Sequence, residues 1–178
     1  MLKRFLVPEE DRVFVSEESG RYATQAIFLE MGLSERDAEQ ATDVLGVSDL
    51  RGCESHGVSN MLRNYVSLYQ NGSLKARPEI TTTRETETTA VIDGGGALGL
   101  HIAPRAMDIA IEKAAKYGLG AVCVTGGGHM GGTGYHAMRA IPHDMIGVAM
   151  SSSGRPVMVP TFGAEPRLGN NPFAWAAP

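Results

Sequence analysis

The sequence lacks the features that mark secreted, membrane-spanning and nucleic-acid-binding proteins. It has only 2 cysteines, Cys53 and Cys123, and no C-x-x-C pair, which argues against a disulfide framework or a zinc knuckle. Acidic residues outnumber basic ones by 20 to 16, and the net charge of -4 disfavours a nucleic-acid or anionic-membrane partner. No apolar run approaches the roughly 18 residues that span a bilayer, and the N-terminus does not resemble a signal peptide. Together these absences predict a cytoplasmic globular protein.

Glycine, by contrast, is plentiful, with 22 residues in a chain of 178. It clusters at 94–99, 118–120, 126–134 and 163–169. Clusters next to apolar segments are typical of tight turns, or of backbone that approaches a ligand. Turns explain most of them, and the cluster at 126–134, which contains a histidine, is the candidate for a site.

Helical patterns occupy the first seventy residues. A first helix is expected over 16–31, with Ser16 as its cap. Ser34 and Asp37 resemble a capping box for a second helix, which runs to about residue 50. A third helix is predicted over 58–70, before an Asn-Gly stop. The residues expected on the buried faces of the second and third helices are Ala38, Ala41, Leu45, Ser48, Met61, Tyr65 and Leu68.

After Pro78 the pattern changes to alternating strands and helices. β-Branched runs predict the strands, and apolar residues at helical spacing predict the helices. In chain order the elements are a Thr-rich stretch at 79–92 that ends in a strand, a helix to 117, a buried strand at 121–125, a helix at 135–141, a strand at 145–151 and an apolar stretch at 173–177. This alternation predicts an α/β fold, with a helical region over 1–76 and an α/β domain over 77–178.

Residues 94–99 match the G-x-G-x-x-G pattern of dinucleotide-binding turns, after a strand and before a helix. A Rossmann site also needs an acidic residue at the end of the second strand to bind the ribose, or a basic one for a 2′-phosphate. The second strand ends Val124-Thr125-Gly126-Gly127-Gly128 and supplies neither. A turn that packs the helix on the strand is the favoured interpretation, and a Rossmann-type nucleotide sensor is the alternative.

His56 lies in Glu54-Ser55-His56-Gly57, at the junction of two predicted helices. Such a junction can direct an imidazole into a cleft, where Ser55 can orient the ring or share its proton and Gly57 leaves room for a small substrate. Histidine is suited to proton exchange between a carbonyl and an alcohol near neutral pH. The plainer alternative is a histidine that caps a helix end.

His129 follows three glycines, beyond the carboxyl end of the strand at 121–125, where ligands bind in open α/β sheets. The glycine N–H groups could hold an anion there, together with the N-terminus of the helix expected from Tyr135. The plainer alternative is a connecting loop. The other histidines have no metal-binding spacing, and Ser151-Ser152-Ser153-Gly154 lacks the first glycine of a hydrolase elbow. Neither a metal site nor a serine hydrolase is predicted.

Three segments together resemble the type-2 malate/L-lactate dehydrogenase family, whose members include ureidoglycolate and sulfolactate dehydrogenases, diketogulonate reductase and piperideine-2-carboxylate reductase. The segments are 49–59 (DLRGCESHGVS), the loop and helix over 94–117, and 129–172, which ends in Leu168-Gly169-Asn170-Asn171-Pro172. Each segment alone is a weak match. Their order and spacing over nearly the whole chain make the resemblance specific.

The resemblance implies an oxidoreductase that transfers a hydride between NAD or NADP and a small 2-oxo or 2-hydroxy acid, or a cyclic imino acid. It also implies a non-Rossmann α/β fold of the sulfolactate-dehydrogenase type and a homodimer. By position, His56 corresponds to the family's proton donor and Ser55 to its relay partner, and His129 is a base in some members. The residues at cofactor-contacting positions are His129, Met130, Gly131, Gly132, Thr133 and Ser153.

Two expected substrate contacts depart from the family pattern. Asn60 stands where an arginine usually binds the substrate carboxylate, which is not a conservative change, although Arg63 lies one turn away. Asn170 stands where a threonine is usual.

Family chains are also roughly twice as long, and the second half carries an aspartate that assists the histidine and much of the nicotinamide site. We therefore expect this chain to be a fragment, a split subunit or a chain that needs a partner. Alone, it should bind NAD(P)H poorly and catalyse nothing. The alternative is a non-catalytic binding or assembly module that keeps the fold.

Overall fold

The computed structural model describes residues 8–152 and 156–178. They form two compact units, of which the first extends to Gly132 and the second runs from Thr133 to Pro178. The division between a helical region and an α/β domain at residue 76 stays a prediction. Among the described residues, no helix combines the length and the apolar character needed to cross a membrane.

Three helices form the N-terminal part of the first unit: α1 (Glu17–Glu30), α2 (Glu35–Leu50) and α3 (Val58–Gln70). They confirm the three predicted helices to within one or two residues. Both predicted caps are present, since Ser16 Oγ accepts the N–H of Ser19 and Ser34 Oγ accepts the N–H of Asp37, each at 3.2 Å. In the second cap the Asp37 carboxylate accepts the Ser34 hydroxyl at 2.8 Å.

The buried faces of α2 and α3 follow the predicted stripes in part. All four residues predicted for α2 are buried. In α3, Tyr65 is fully buried, whereas Met61 and Leu68 are only half-buried and Leu62, outside the predicted stripe, is buried. Since α3 packs against both α1 and α2, its buried face is centred on Leu62 and Tyr65.

A hairpin and a β-α-β unit complete the first unit. Strand β1 (Thr81–Glu85) pairs antiparallel with β2 (Thr89–Asp93), so the Thr-rich stretch contains two strands. Helix α4 (Gly99–Tyr117) then leads to β3 (Ala121–Thr125), which pairs parallel with β2. The resulting mixed sheet has the order β1-β2-β3 and agrees with the predicted α/β class.

The sheet and α4 share a small apolar core, formed by Ile92, Ala97, Ile102 and Ala106. The prediction that β3 is a buried strand is wrong for this sheet, because its side chains alternate between half-buried and exposed. The physical reason is its position. β3 is an outer strand of a three-stranded sheet, so it has a strand on one side only.

The second unit packs a short helix on a two-stranded sheet. Its elements are α5 (Thr133–Met138), a 3₁₀ turn at Ile141–His143, β4 (Gly147–Met150) and β5 (Phe173–Ala176). The helix predicted at 135–141 instead begins at Thr133 and ends at Met138, shortly before Pro142, which has no N–H to continue a helix. β4 lies within the predicted strand and pairs antiparallel with β5.

Candidate active site

The turn between α2 and α3 is held by hydrogen bonds at both of its ends. The N–H of Cys53 donates to the carbonyl of Ser48, in α2, at 2.8 Å, directly before a single turn of 3₁₀ helix that ends at His56. The N–H of Val58, the first residue of α3, donates to the Asp49 carboxylate at 2.9 Å. The Ser-His pair of this turn is therefore carried on a short segment with both ends attached to the helices.

Ser55 and His56 are in direct contact. Ser55 Oγ lies 2.9 Å from His56 Nδ1, and both side chains are half-buried. Within the described ranges, Nε2 of His56 has no hydrogen-bond partner. The serine can hold the ring orientation while Nε2 meets a ligand, which is the arrangement that proton transfer requires.

His129 lies against His56, although the two residues are 73 positions apart in the sequence. The imidazole rings stack with their centroids 5.6 Å apart and their planes at 21°. Desolvation of the ring lowers the pKa of His129, and the nearby His56 lowers this pKa further. The His129 ring is therefore uncharged near neutral pH.

Tyr65 contacts this site, although its position on α3 predicts only a place in the core. Its side chain is fully buried, and its hydroxyl lies 2.7 Å from Nδ1 of His129. Burial raises the pKa of this phenol, so the group is a neutral hydroxyl at physiological pH. One sequence feature could have indicated the contact: a tyrosine on a buried helix face must find a partner for its hydroxyl.

The loop at 126–132 bends back on the start of α4. The N–H of Gly128 donates to the Ala97 carbonyl at 2.7 Å. A methyl group on Gly128 or on Gly131 would approach core side chains too closely, and Gly131 also has a positive φ of 73°. Packing alone thus accounts for these two glycines.

The glycine turn at 94–97 uses its N–H groups within the protein. The N–H groups of Gly94, Gly95 and Gly96 all donate to protein acceptors. In that order, the acceptors are the Thr125 carbonyl, the Asp93 carboxylate and the Gly126 carbonyl, at 2.8, 2.9 and 2.8 Å. These N–H groups are not available to a pyrophosphate, which agrees with a turn that packs the helix on the strand rather than with a Rossmann site.

The other predicted cofactor contacts lie in several places. Met130 and Gly132 are half-buried in the first unit. Thr133 is buried at the start of α5, in the second unit. Ser153 lies outside the described residues.

The two predicted substrate contacts differ in exposure. Asn60 is half-buried, and its side-chain Nδ2 donates to the Glu54 carbonyl at 2.8 Å. It therefore braces the turn that carries His56. Asn170 is exposed, in the loop before β5 of the second unit, and Arg63 is exposed on α3.

A cleft of about 300 Å³ lies elsewhere in the first unit, and neither His56 nor His129 is among its lining residues. Its walls include Asp37, Arg77, Arg105 and the buried His101. The stacked imidazoles are thus a separate feature of the surface.

Comparison with known proteins assigns the family. A family model described as malate/L-lactate dehydrogenase matches residues 15–178. A malate dehydrogenase of Pyrococcus abyssi is 42% identical over 152 residues, which are 85% of this chain and 41% of that protein. An L-sulfolactate dehydrogenase of Methanothermobacter thermautotrophicus is 37% identical over 171 residues, 96% of this chain and 47% of that protein. The chain belongs to the malate/L-lactate dehydrogenase family, which confirms the resemblance drawn from the sequence.

Solved structures agree with this assignment. The malate dehydrogenase of Pyrococcus horikoshii superposes with a TM-score of 0.90 at 38% identity, over 97% of this chain and 49% of that one. The sulfolactate dehydrogenase of Methanocaldococcus jannaschii gives a TM-score of 0.88 at 33% identity, over 93% and 47%. The predicted fold of the sulfolactate-dehydrogenase type is confirmed. The chain spans about half the length of the relatives it matches.

Proposed function

We propose that the protein is an oxidoreductase that transfers a hydride between NAD or NADP and a small 2-oxo or 2-hydroxy acid of the malate or lactate type, or a cyclic imino acid. The observation that carries this proposal is the stacking of His56 on His129, with Ser55 on the Nδ1 of His56. The relatives described as malate and sulfolactate dehydrogenases support the substrate class.

The described residues fit the reacting end of a nicotinamide cofactor better than its phosphate end. Two neighbouring imidazoles suit the delivery of a proton to a carbonyl oxygen, and one of them follows the carboxyl end of β3. The N–H groups of residues 94–96 are already used, so that turn offers no cradle for a pyrophosphate. The cofactor supplies or accepts the hydride, and His129, Met130, Gly131, Gly132, Thr133 and Ser153 are the proposed contacts from this chain.

In this proposal His56 gives a proton to the carbonyl oxygen of the substrate during reduction and takes it back during oxidation. Ser55 orients the ring through Nδ1. Asn60 and Asn170 are the proposed substrate contacts, and Asn60 would act by keeping the turn in place. The remaining parts of the site would come from a second copy of the chain in a homodimer, or from a partner that corresponds to the part of the relatives that this chain does not cover.

One observation favours a second candidate, a binding or assembly module without catalysis. The side-chain Nδ2 of Asn60 donates to the Glu54 carbonyl, whereas the resemblance places a carboxylate-binding arginine at this position. An amide held in this way is a weak substitute for a bidentate guanidinium. This candidate predicts ligand binding without turnover.

The experiment uses the protein as isolated from its own cells, with any subunit it carries, and native mass spectrometry defines that assembly. Reduction of pyruvate, oxaloacetate or a cyclic imine is followed by the absorbance of NADH or NADPH. His56→Ala should lower kcat by about 10²–10⁴-fold, because a general acid contributes about that much, while cofactor affinity is unchanged. The matched control is His143→Ala, since His143 is exposed in the second unit and should leave the rate unchanged.

Cofactor binding without any turnover in the complete assembly would favour the assembly module. Equal rates for wild type and His56→Ala would remove the proposed role of His56. The isolated chain of 178 residues is predicted to bind NAD(P)H poorly and to be inactive, and rapid catalysis by it alone would contradict that prediction.

A further inference from the structure

The hydrogen bond between Tyr65 and His129 defines the state of the histidine. Tyr65 projects from α3 and is fully buried, and its hydroxyl lies 2.7 Å from Nδ1 of His129. Taken alone, this contact allows either atom to be the donor, since a neutral imidazole donates at one ring nitrogen and accepts at the other.

A second group removes this ambiguity. The backbone N–H of Gly131 points at the same Nδ1, at an N–N distance of 3.3 Å. A peptide N–H can only donate, so Nδ1 of His129 must be the unprotonated nitrogen. The Tyr65 hydroxyl must then donate as well, and the hydrogen of the neutral ring is on Nε2.

The protein backbone holds this arrangement in place. Gly131 has a positive φ of 73°, and a side chain on it would collide with Leu100 and Val44. A Cβ on Gly99 would also collide with the carbonyl groups of Gly128 and His129. The first residue of α4 is therefore in close contact with the backbone of the loop. The donor from Gly131 is therefore positioned by packing before any ligand binds.

We propose that Tyr65 and the Gly131 N–H hold His129 in its neutral Nε2–H form, so that His129 binds an oxygen of the substrate as a hydrogen-bond donor and proton exchange is carried out by His56 alone. This inference rests on the proposed function and assigns different roles to its two histidines. It replaces the expectation that His129 is a base. A neutral imidazole that polarises a carbonyl is an established use of histidine.

The proton balance follows from these roles. When the carbonyl carbon receives a hydride, the electron pair of the C=O bond moves to the oxygen, which takes a proton from protonated His56. The acid is reduced, the cofactor is oxidised, and His56 becomes neutral. His129 keeps its Nε2 hydrogen throughout. A neutral ring without that hydrogen would carry it on Nδ1, and protonation there would break the hydrogen bonds from both Tyr65 and Gly131.

Nitrogen NMR of the histidine rings tests the inference on the purified chain, without need of activity. In wild type, His129 Nδ1 should have the chemical shift of an unprotonated nitrogen and Nε2 that of a protonated one. Tyr65→Phe should increase the Nδ1–H population and raise the pH at which His129 titrates, because one of two donors to Nδ1 is lost. An Nδ1–H form in wild type would overturn the inference, whether or not Tyr65→Phe folds.

Tyr69→Phe is the matched control, because Tyr69 lies on the same helix and its buried hydroxyl has no hydrogen-bond partner among the described residues. It should leave the His129 ring signals unchanged. In the complete assembly, Tyr65→Phe should lower kcat/KM about five- to tenfold and shift the acid limb of its pH profile, and Tyr69→Phe should do neither. The predicted NMR state without turnover would count against the proposed function and leave the tautomer assignment intact.

Discussion

The carboxylate of Asp49, near the end of α2, accepts the N–H of Val58, the first residue of α3, at 2.9 Å. Burial raises the pKa of this carboxyl. The residue before Val58 is Gly57, which has no side chain to cap the helix, so Asp49 provides the cap from nine positions earlier in the chain. The contact also fixes the ends of the turn that carries Ser55 and His56.

Gly57→Ala should destabilise the protein by about 1–3 kcal/mol, a typical cost of overpacking. A Cβ on this glycine would overlap the Asp49 carboxylate, so the cap would have to move. Thermal unfolding measures the effect. The control is Gly20→Ala inside α1, where the new methyl meets only Val15 at an ordinary 3.6 Å and should stabilise by about 0.5–1 kcal/mol. Equal effects at the two positions would contradict the role of Asp49.

Asn60→Ala should cost about 1 kcal/mol more than Asn64→Ala. Both asparagines lie on α3, so the change in helix propensity is the same, but the structure records a hydrogen bond to the Glu54 carbonyl for Asn60 and the side chain of Asn64 is exposed. Urea unfolding of both variants measures how much the contacts of the Asn60 side chain contribute to the free energy of unfolding. If the two variants unfold at the same urea concentration, Asn60 does not brace the turn.

Gly99→Ala should affect both stability and the proposed activity. The added methyl would meet the backbone of Gly128 and His129, so the loop that carries His129 must shift away from α4. We expect a loss of about 1–3 kcal/mol in stability and, in the complete assembly, a fall of up to about 10²-fold in kcat, since reacting groups tolerate little displacement. An unchanged rate in a destabilised Gly99→Ala protein would separate the loop from the chemistry. Gly20→Ala again serves as the control.

His101 should make stability depend on pH below neutrality. The side chain is only 4% exposed and its Nδ1 lies 3.6 Å from Asp37 Oδ1. Burial lowers the pKa of His101 below its ordinary value of 6.5, Arg105 lowers it further, and Asp37 raises it in part.

The unfolded chain therefore binds this proton first as the pH falls. The contribution of neutral His101 to the free energy of unfolding is fully present above pH 6.5. It is lost as the pH falls towards the pKa of His101 in the folded state, at up to about 1.4 kcal/mol per pH unit for one proton. His101→Gln should reduce this slope, to which His129 contributes in the same direction. Thr42→Val, another buried polar position without a titrating group, should leave the slope unchanged. A slope unaffected by His101→Gln would show that His101 does not titrate differently in the folded state.

The sequence by itself determined the local structure of this protein. Ser16 and Ser34 predict helix starts because their hydroxyls satisfy N–H groups within the same turn. The absence of an acidic residue after β3 disfavours the Rossmann interpretation, because ribose binding depends on the residue type at that position. The segment around Ser55 and His56 and its two companion segments led to the family through their order in the chain, and the family match over 15–178 confirms it.

Only the tertiary structure decided which distant groups meet. The stacking of His56 on His129, the hydroxyl of Tyr65 on Nδ1 and the cap from Asp49 all join residues whose separation has no helical or strand period. The strand order is also decided by the tertiary structure. Local sequence patterns therefore did not predict that β3 is an outer strand, or that the Thr-rich stretch forms a hairpin. Local patterns report which face of an element is apolar, whereas its neighbours are chosen by packing of the whole chain, where the free energy is spread over many weak contacts.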